Sequence, residues 1–125
     1  MSALLLVGTG GIFGALTRYW LGKYIGSKYV SDFPYVTFFI NISGSYVLAA
    51  IFFSPIFIRS INHDFINYFF LTGFLGAYTT FSTFSYEAYQ LLKVQDYKNM
   101  VLYIIGTLVL GLVASYTGML TARLF

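Results

Sequence analysis

Long apolar stretches separated by short polar breaks organise this chain. Crossing about 30 Å of hydrocarbon takes about 20 mostly apolar residues of helix. Four windows qualify: Leu4 to Leu21, Tyr35 to Phe57, Phe65 to Leu92 and Met100 to Leu124. The breaks carry Lys23, Lys28, Asp32 and Pro34, then Arg59, Asn62, His63 and Asp64, then Lys93, Gln95, Asp96 and Lys98. Each is a turn with no room for a domain. The apolar runs do not alternate at period two as the strands of a membrane barrel must, so the spanning elements are predicted to be helices. The pattern predicts one all-α membrane domain over residues 1–125 with four transmembrane helices.

Composition supports that placement. Of the 125 residues 58% are hydrophobic, 22% aromatic and only 9% charged, where a soluble domain carries about a quarter charged residues. With no cysteine there is no disulfide scaffold, iron–sulfur site or zinc-thiolate site. The N-terminal segment MSALLLVGTGGIFGALTRYW lacks a basic leader, and its apolar run exceeds a signal-peptide core, so it reads as the first span. The net charge of +3 comes from seven scattered basic residues, with no run suited to nucleic acid. Lys23, Lys28, Lys93 and Lys98 fall on one side of the membrane, and Arg59 and Arg123 on the other. So small a bias is compatible with insertion both ways, or with a mild preference for the lysines in the cytoplasm.

Glycine and misplaced polar residues come next. Gly10 and Gly14, and Gly22 and Gly26, have the small-xxx-small spacing that lets helix backbones approach in lipid, and are read as structural. Arg18, in GALTRYW, either snorkels to the interface or faces an aqueous cavity. Asn41, in FFINISGSY, carries two donors that need acceptors, and a bond to a neighbouring helix is the usual outcome. In GAYTTFSTF, at residues 76–84, Gly76 and the β-branched pair Thr79 and Thr80 weaken the third helix. Unbroken, that window would run about 42 Å, longer than a membrane needs. Two readings follow: a break, whose freed carbonyls and amides would make a functional site, or a continuous helix whose threonines bond back to preceding carbonyls. On the last window Tyr103, Thr107, Gly111 and Ser115 recur every four residues, a hydroxylated stripe that either bonds neighbouring helices or lines a path.

The chain closely resembles the Fluc (CrcB) family of fluoride channels. The resemblance rests on GGIFGALTRY at 10–19, FFINISGSY at 38–46, GFLGAYTTFSTFSYE at 73–87 and the striped last span, and covers nearly the whole chain. It implies a passive, fluoride-selective channel of the inner (plasma) membrane that exports toxic fluoride. The implied assembly is an antiparallel, dual-topology homodimer with two pores and a break in the third helix of each copy. Carried over residue by residue, Phe81 and Phe84 match the family's pore phenylalanines, Asn41 its pore asparagine, and Ser82 and Thr83 the hydroxyls beside the phenylalanines. Tyr103 and Thr107 match its polar track, which Ser115 extends and Gly111 interrupts. Arg18 matches a vestibule arginine and Glu87 a pore-mouth carboxylate. The resemblance also implies one cofactor, a structural sodium ion held at the dimer centre by the backbone carbonyls of Gly76 and Thr79 from both copies.

Physical chemistry gives reasons for such a lining. Fluoride is small and strongly hydrated, so a pore must replace its water with close donors, which Asn41, Ser82, Thr83, Tyr103 and Thr107 offer. Phenylalanine rings have positive edges, so Phe81 and Phe84, three apart on one helix face, can present them to an anion. The rival reading is a small four-helix proton-coupled multidrug exporter. That needs a titratable carboxylate deep in a span; the first window has none, and Glu87 lies late in the third. A non-transporting assembly subunit would explain the glycines but not the donors on several helices. No enzyme motif is present, and His63, beside Asp64 in a break, reads as solvated.

Overall fold

The computed structural model describes residues 2–28 and 30–124, and among them it is helical with no strand. Helix α1 (Ala3–Lys28), α2 (Tyr35–Phe52) and α7 (Tyr97–Ala122) are continuous, and each is long and apolar enough to cross a membrane. Most of their large apolar side chains point outward, among them Ile12, Phe39, Leu108 and Leu112. Such a surface belongs against lipid, and the chain is a membrane protein.

The second predicted window ends early. Helix α2 stops at Phe52, and a separate short helix α3 (Pro55–Arg59) follows. Pro55 explains the stop: proline has no amide hydrogen to continue the ladder and disfavours helical backbone at the residue before it. Ser54 is accordingly extended (ψ 130°), and its side chain accepts from the Ile56 amide to cap α3. The turn lets Phe57 pack into the core with Ile40, Leu71, Leu75 and Tyr78.

The third predicted window comes in pieces. A short turn, α4 (His63–Phe65), leads into a π-helical stretch, Ile66–Leu75, and then α5 (Gly76–Tyr78). At Thr79 and Thr80 the backbone is extended (ψ 157° and 119°), and α6 (Phe81–Lys93) begins afresh. The reading of one continuous helix is thereby corrected. Gly73 and Gly76 stay in helical turns, and the break falls on the β-branched pair. Thr79 does bond back to the Leu75 carbonyl (3.0 Å), as a helical threonine would, but the chain leaves the helix at the next step.

Close backbone contact positions these pieces. A side chain at Gly10 would collide with the Phe69 carbonyl and one at Gly14 with the Phe74 carbonyl, so α1 lies flush on the π-helical stretch. The Gly10 and Gly14 pair is therefore a packing seam, whereas Gly22 and Gly26 meet the Val36 side chain in looser contact. Along α2, Gly106 meets Phe38 and Gly118 meets Tyr46 and Ala49, so α2 and α7 run side by side in the same direction. Helix α6 ends at a turn in which the Gln95 amide bonds to Leu92 and the Asp96 amide to Leu91, with Gln95 in the left-handed region (φ 61°). Asp96 then caps α7 through the Asn99 amide (3.3 Å).

Candidate functional site

The break would strand buried backbone groups unless something met them. Asn41 does so: its Oδ1 accepts from the Thr80 amide at 2.9 Å, and its Nδ2 donates to the Thr80 carbonyl at 3.0 Å. Both bonds fall on one residue, so the amide side chain of α2 stands in for a neighbouring strand. The Thr80 hydroxyl, in turn, accepts from the Thr83 amide (3.2 Å), capping α6, and donates to the Thr83 hydroxyl (3.0 Å). Ser82 lies 3.3 Å from the same hydroxyl. The amides of Phe81 and Ser82, in the first turn of α6, have no acceptor within the helix, and the helix dipole points its positive end their way.

A cavity of about 360 Å³ opens beside this break. Asn41, Gly44 and Ser45 of α2, Thr79, Thr80, Phe81 and Phe84 of the broken segment, and Thr107 of α7 all reach its wall. The ring centroids of Phe81 and Phe84 are 5.9 Å apart, and Phe84 leans on Tyr103 at 5.1 Å. Phe81 is 79% exposed in the single chain, so its ring stands on the outer face of the protomer.

Other expected site residues lie elsewhere. Arg18 is half-buried, and its Nη1 reaches the Thr79 carbonyl in a long contact of 3.5 Å. Glu87 is clasped, with Oε1 accepting from Thr37 at 3.0 Å and Oε2 from the Tyr103 hydroxyl at 2.7 Å. Thr107 gives its hydrogen to the Tyr103 carbonyl at 2.6 Å. The stripe on α7 is thus present as a face, but two of its donors are turned to protein acceptors. Ser115, two turns beyond Thr107, lies outside the cavity wall. Ser82 and Thr83 are exposed beside the Phe81 ring's attachment to α6 rather than in that wall.

Thr80 and Thr37 were missed as functional candidates. Thr80 is 7% exposed and is the hub of the break, whereas Thr37 is 4% exposed and orients Glu87. Helical spacing could have found Thr37, one turn before Asn41 on the same face of α2. Thr80 carried the usual signal of a helix cap, a threonine just before a helical run.

The break also prepares the carbonyls named for sodium. In a continuous helix the Thr80 amide would bond to the Gly76 carbonyl and the Thr83 amide to the Thr79 carbonyl. Here those amides go to Asn41 and to the Thr80 side chain, so both carbonyls lose their helical partners. Freed carbonyl oxygens are hard donors suited to a small hard cation. The donor set fits, with the Arg18 contact to Thr79 a partial competitor.

Residues 5–119 match the family described as CrcB-like protein, Camphor Resistance (CrcB). The chain belongs to the CrcB-like family. Its relatives in that family include a Clostridium acetobutylicum protein named Fluoride-specific ion channel FluC 2, 36% identical over 119 residues that cover 95% of this chain and 97% of the relative. Fluoride-specific ion channel FluC 1 of Listeria monocytogenes is 40% identical over 116 residues, 93% of each chain. Fluoride-specific ion channel FluC of Thermosipho melanesiensis is 38% identical over 120 residues, 95% of this chain and 94% of the relative. These relatives are named as channels and not as enzymes. The CrcB-like match takes in α1, the Asn41 clasp, the break and α7 as far as Met119.

Proposed function

We propose that this protein is a passive fluoride-selective channel of the inner (plasma) membrane that lets fluoride leave the cell and so protects it. The observation that carries the reading is the cavity at the break, where Asn41, Phe81, Phe84 and Thr107 meet beside the open first turn of α6. Relatives named as fluoride-specific channels, matched over nearly their whole length, support it.

Dehydrating fluoride requires close donors that do not need to be reorganised. The second hydrogen of Asn41 Nδ2, the hydroxyls of Ser82 and Thr83, and the Phe81 and Ser82 amides supply them. The edges of Phe81 and Phe84 add positive potential without binding too tightly for release. Tyr103 and Thr107 join the path by turning their hydrogens from Glu87 and the Tyr103 carbonyl, and Ser115 continues it along α7. Arg18 raises anion concentration at the entrance, and Glu87, one turn beyond Phe84, sets the path's far end.

The protomer crosses the membrane four times, the third crossing being the broken segment. Two copies pair in opposite orientation as a dual-topology homodimer, which leaves two equivalent paths. The exposed Phe81 ring and exposed Gly76 beside an open cavity favour a second copy at this face. The Gly76 and Thr79 carbonyls of both copies would hold a structural sodium ion there. When bound, the ion ties the broken helices together and adds positive potential near the anion paths.

The test is ion efflux from liposomes holding the purified protein. Fast fluoride efflux with negligible chloride efflux is expected. Comparable chloride flux, or no flux of either ion, would overturn the reading.

A further inference from the structure

A second groove lies away from the break. It is an open groove of about 1090 Å³ between the end of α1, the start of α2 and Leu110 of α7. Its polar groups sit at one end: Lys28, Ser31 and Tyr35 form the rim, while Ile25, Phe39 and Ile42 line the body. Ile42 lies about 10 Å down α2 from Tyr35. A polar head and an apolar tail, arranged along a membrane-crossing helix, match the shape and polarity of a membrane lipid.

The level is also right. Tyr19, Trp20 and Tyr24 stand exposed on α1 just before the rim, and the Lys23 ammonium lies 5.6 Å over the Trp20 ring. Aromatic rings with lysines mark the height of the headgroups. At the rim the Lys28 ammonium donates to the Tyr24 hydroxyl at 2.6 Å and sits 4.4 Å from that ring's centroid, which holds it in place. Among the described residues no carboxylate lies within salt-bridge distance of it. Basic grooves between spanning helices recognise anionic headgroups. A zwitterionic headgroup would bring its own cation against Lys28.

A second copy is the competing occupant. On α2 the groove takes residues 35, 38, 39 and 42, whereas the cavity at the break takes 41, 44, 45 and 48. At about 100° per residue these two faces point about 120° apart around the helix. If copies meet at the break, as proposed above, the groove stays open to lipid.

We propose that this groove binds an anionic glycerophospholipid, with its phosphate on Lys28 and the rim hydroxyls and an acyl chain along Ile25, Phe39 and Ile42. The single tryptophan makes the test direct. A reporter is placed in the groove by combining Trp20→Phe with Phe39→Trp, with Tyr35→Trp as the alternative if the first variant fails to fold. The unaltered chain, with Trp20 outside the groove, is the comparator. Each is reconstituted in phosphatidylcholine vesicles containing an equal small fraction of brominated phosphatidylglycerol or brominated phosphatidylcholine, and fluorescence quenching is read. The groove reporter should be quenched about fivefold more effectively by the anionic lipid, the preference that one lysine at the surface confers. Lys28→Gln should abolish the preference, and Lys23→Gln should leave it. Equal quenching by both lipids, a preference as large at Trp20, or a preference that survives Lys28→Gln would overturn the proposal. So would a groove reporter that neither lipid quenches, because another copy would then fill the groove. Fluoride flux is not read, so failure here leaves the channel reading standing.

Discussion

Removing the Asn41 clasp should unlatch the break. Asn41→Ala deletes two hydrogen bonds, of 2.9 and 3.0 Å, and strands the Thr80 amide, while the Thr80 carbonyl, at the N-cap of α6, keeps the Phe84 amide of that helix. Losing the bond to the carbonyl costs about 1 kcal/mol, and leaving the amide unpaired costs about 1–3 kcal/mol if no water reaches it. Thr80 is 7% exposed, which limits rescue by water, but the adjoining cavity admits some. A local loss of about 3 kcal/mol follows, which is roughly a hundredfold in the opening equilibrium. Hydrogen exchange at the Thr80 amide reads it directly: protection should fall by about that factor, with the α7 amides little changed. Asn41→Asp supplies a second arm. Its carboxylate can accept from the Thr80 amide but opposes the Thr80 carbonyl; once protonated it can donate to that carbonyl. Thr80 protection in that variant should therefore rise as pH falls, whereas the unaltered chain has no such dependence at this position. Thr80 protected as before in Asn41→Ala, or a loss spread evenly through α7, would refute the reasoning.

Other residues give sharp contrasts. Phe81→Ile and Phe84→Ile keep bulk but remove ring edges, so fluoride efflux should slow strongly while the assembly persists; unchanged flux in both would remove the rings from the path. Gly10→Ala should cost about 1–3 kcal/mol in a denaturant titration because its methyl meets the Phe69 carbonyl, while Gly8→Ala, with open space in mid-helix, should stabilise by up to about 1 kcal/mol. Equal effects would refute the α1 seam. Gln95→Gly should stabilise by about 1 kcal/mol in the same titration, because Gln95 closes α6 in the left-handed region at φ 61°; no gain would mean the turn tolerates glutamine without strain.

How far the chain could be read from its residues differs from element to element. Apolar length located α1, α2 and α7, because lipid imposes a transfer cost that any window of sequence records. The same window ran α2 on to Phe57, since averaging over apolar residues hides Pro55, whose effect is stereochemical. The π-helical winding of Ile66–Leu75 left no such trace, because an apolar run reads the same in either helical winding. The site divides the same way. Donor-bearing side chains were visible at 41, 103 and 107, but the directions of their hydrogens were not, because Asn41 faces a backbone 39 positions away and Glu87 faces Thr37 50 positions away. One step could still have been taken. Granting a break at Thr79 and Thr80 means that the buried Thr80 amide loses its helical acceptor and must be met from elsewhere. An amide side chain supplies that acceptor without introducing charge, and its NH2 can turn to the neighbouring carbonyl. Asn41 is the only asparagine or glutamine inside the first two apolar windows, so backbone bookkeeping alone could have paired it with the break.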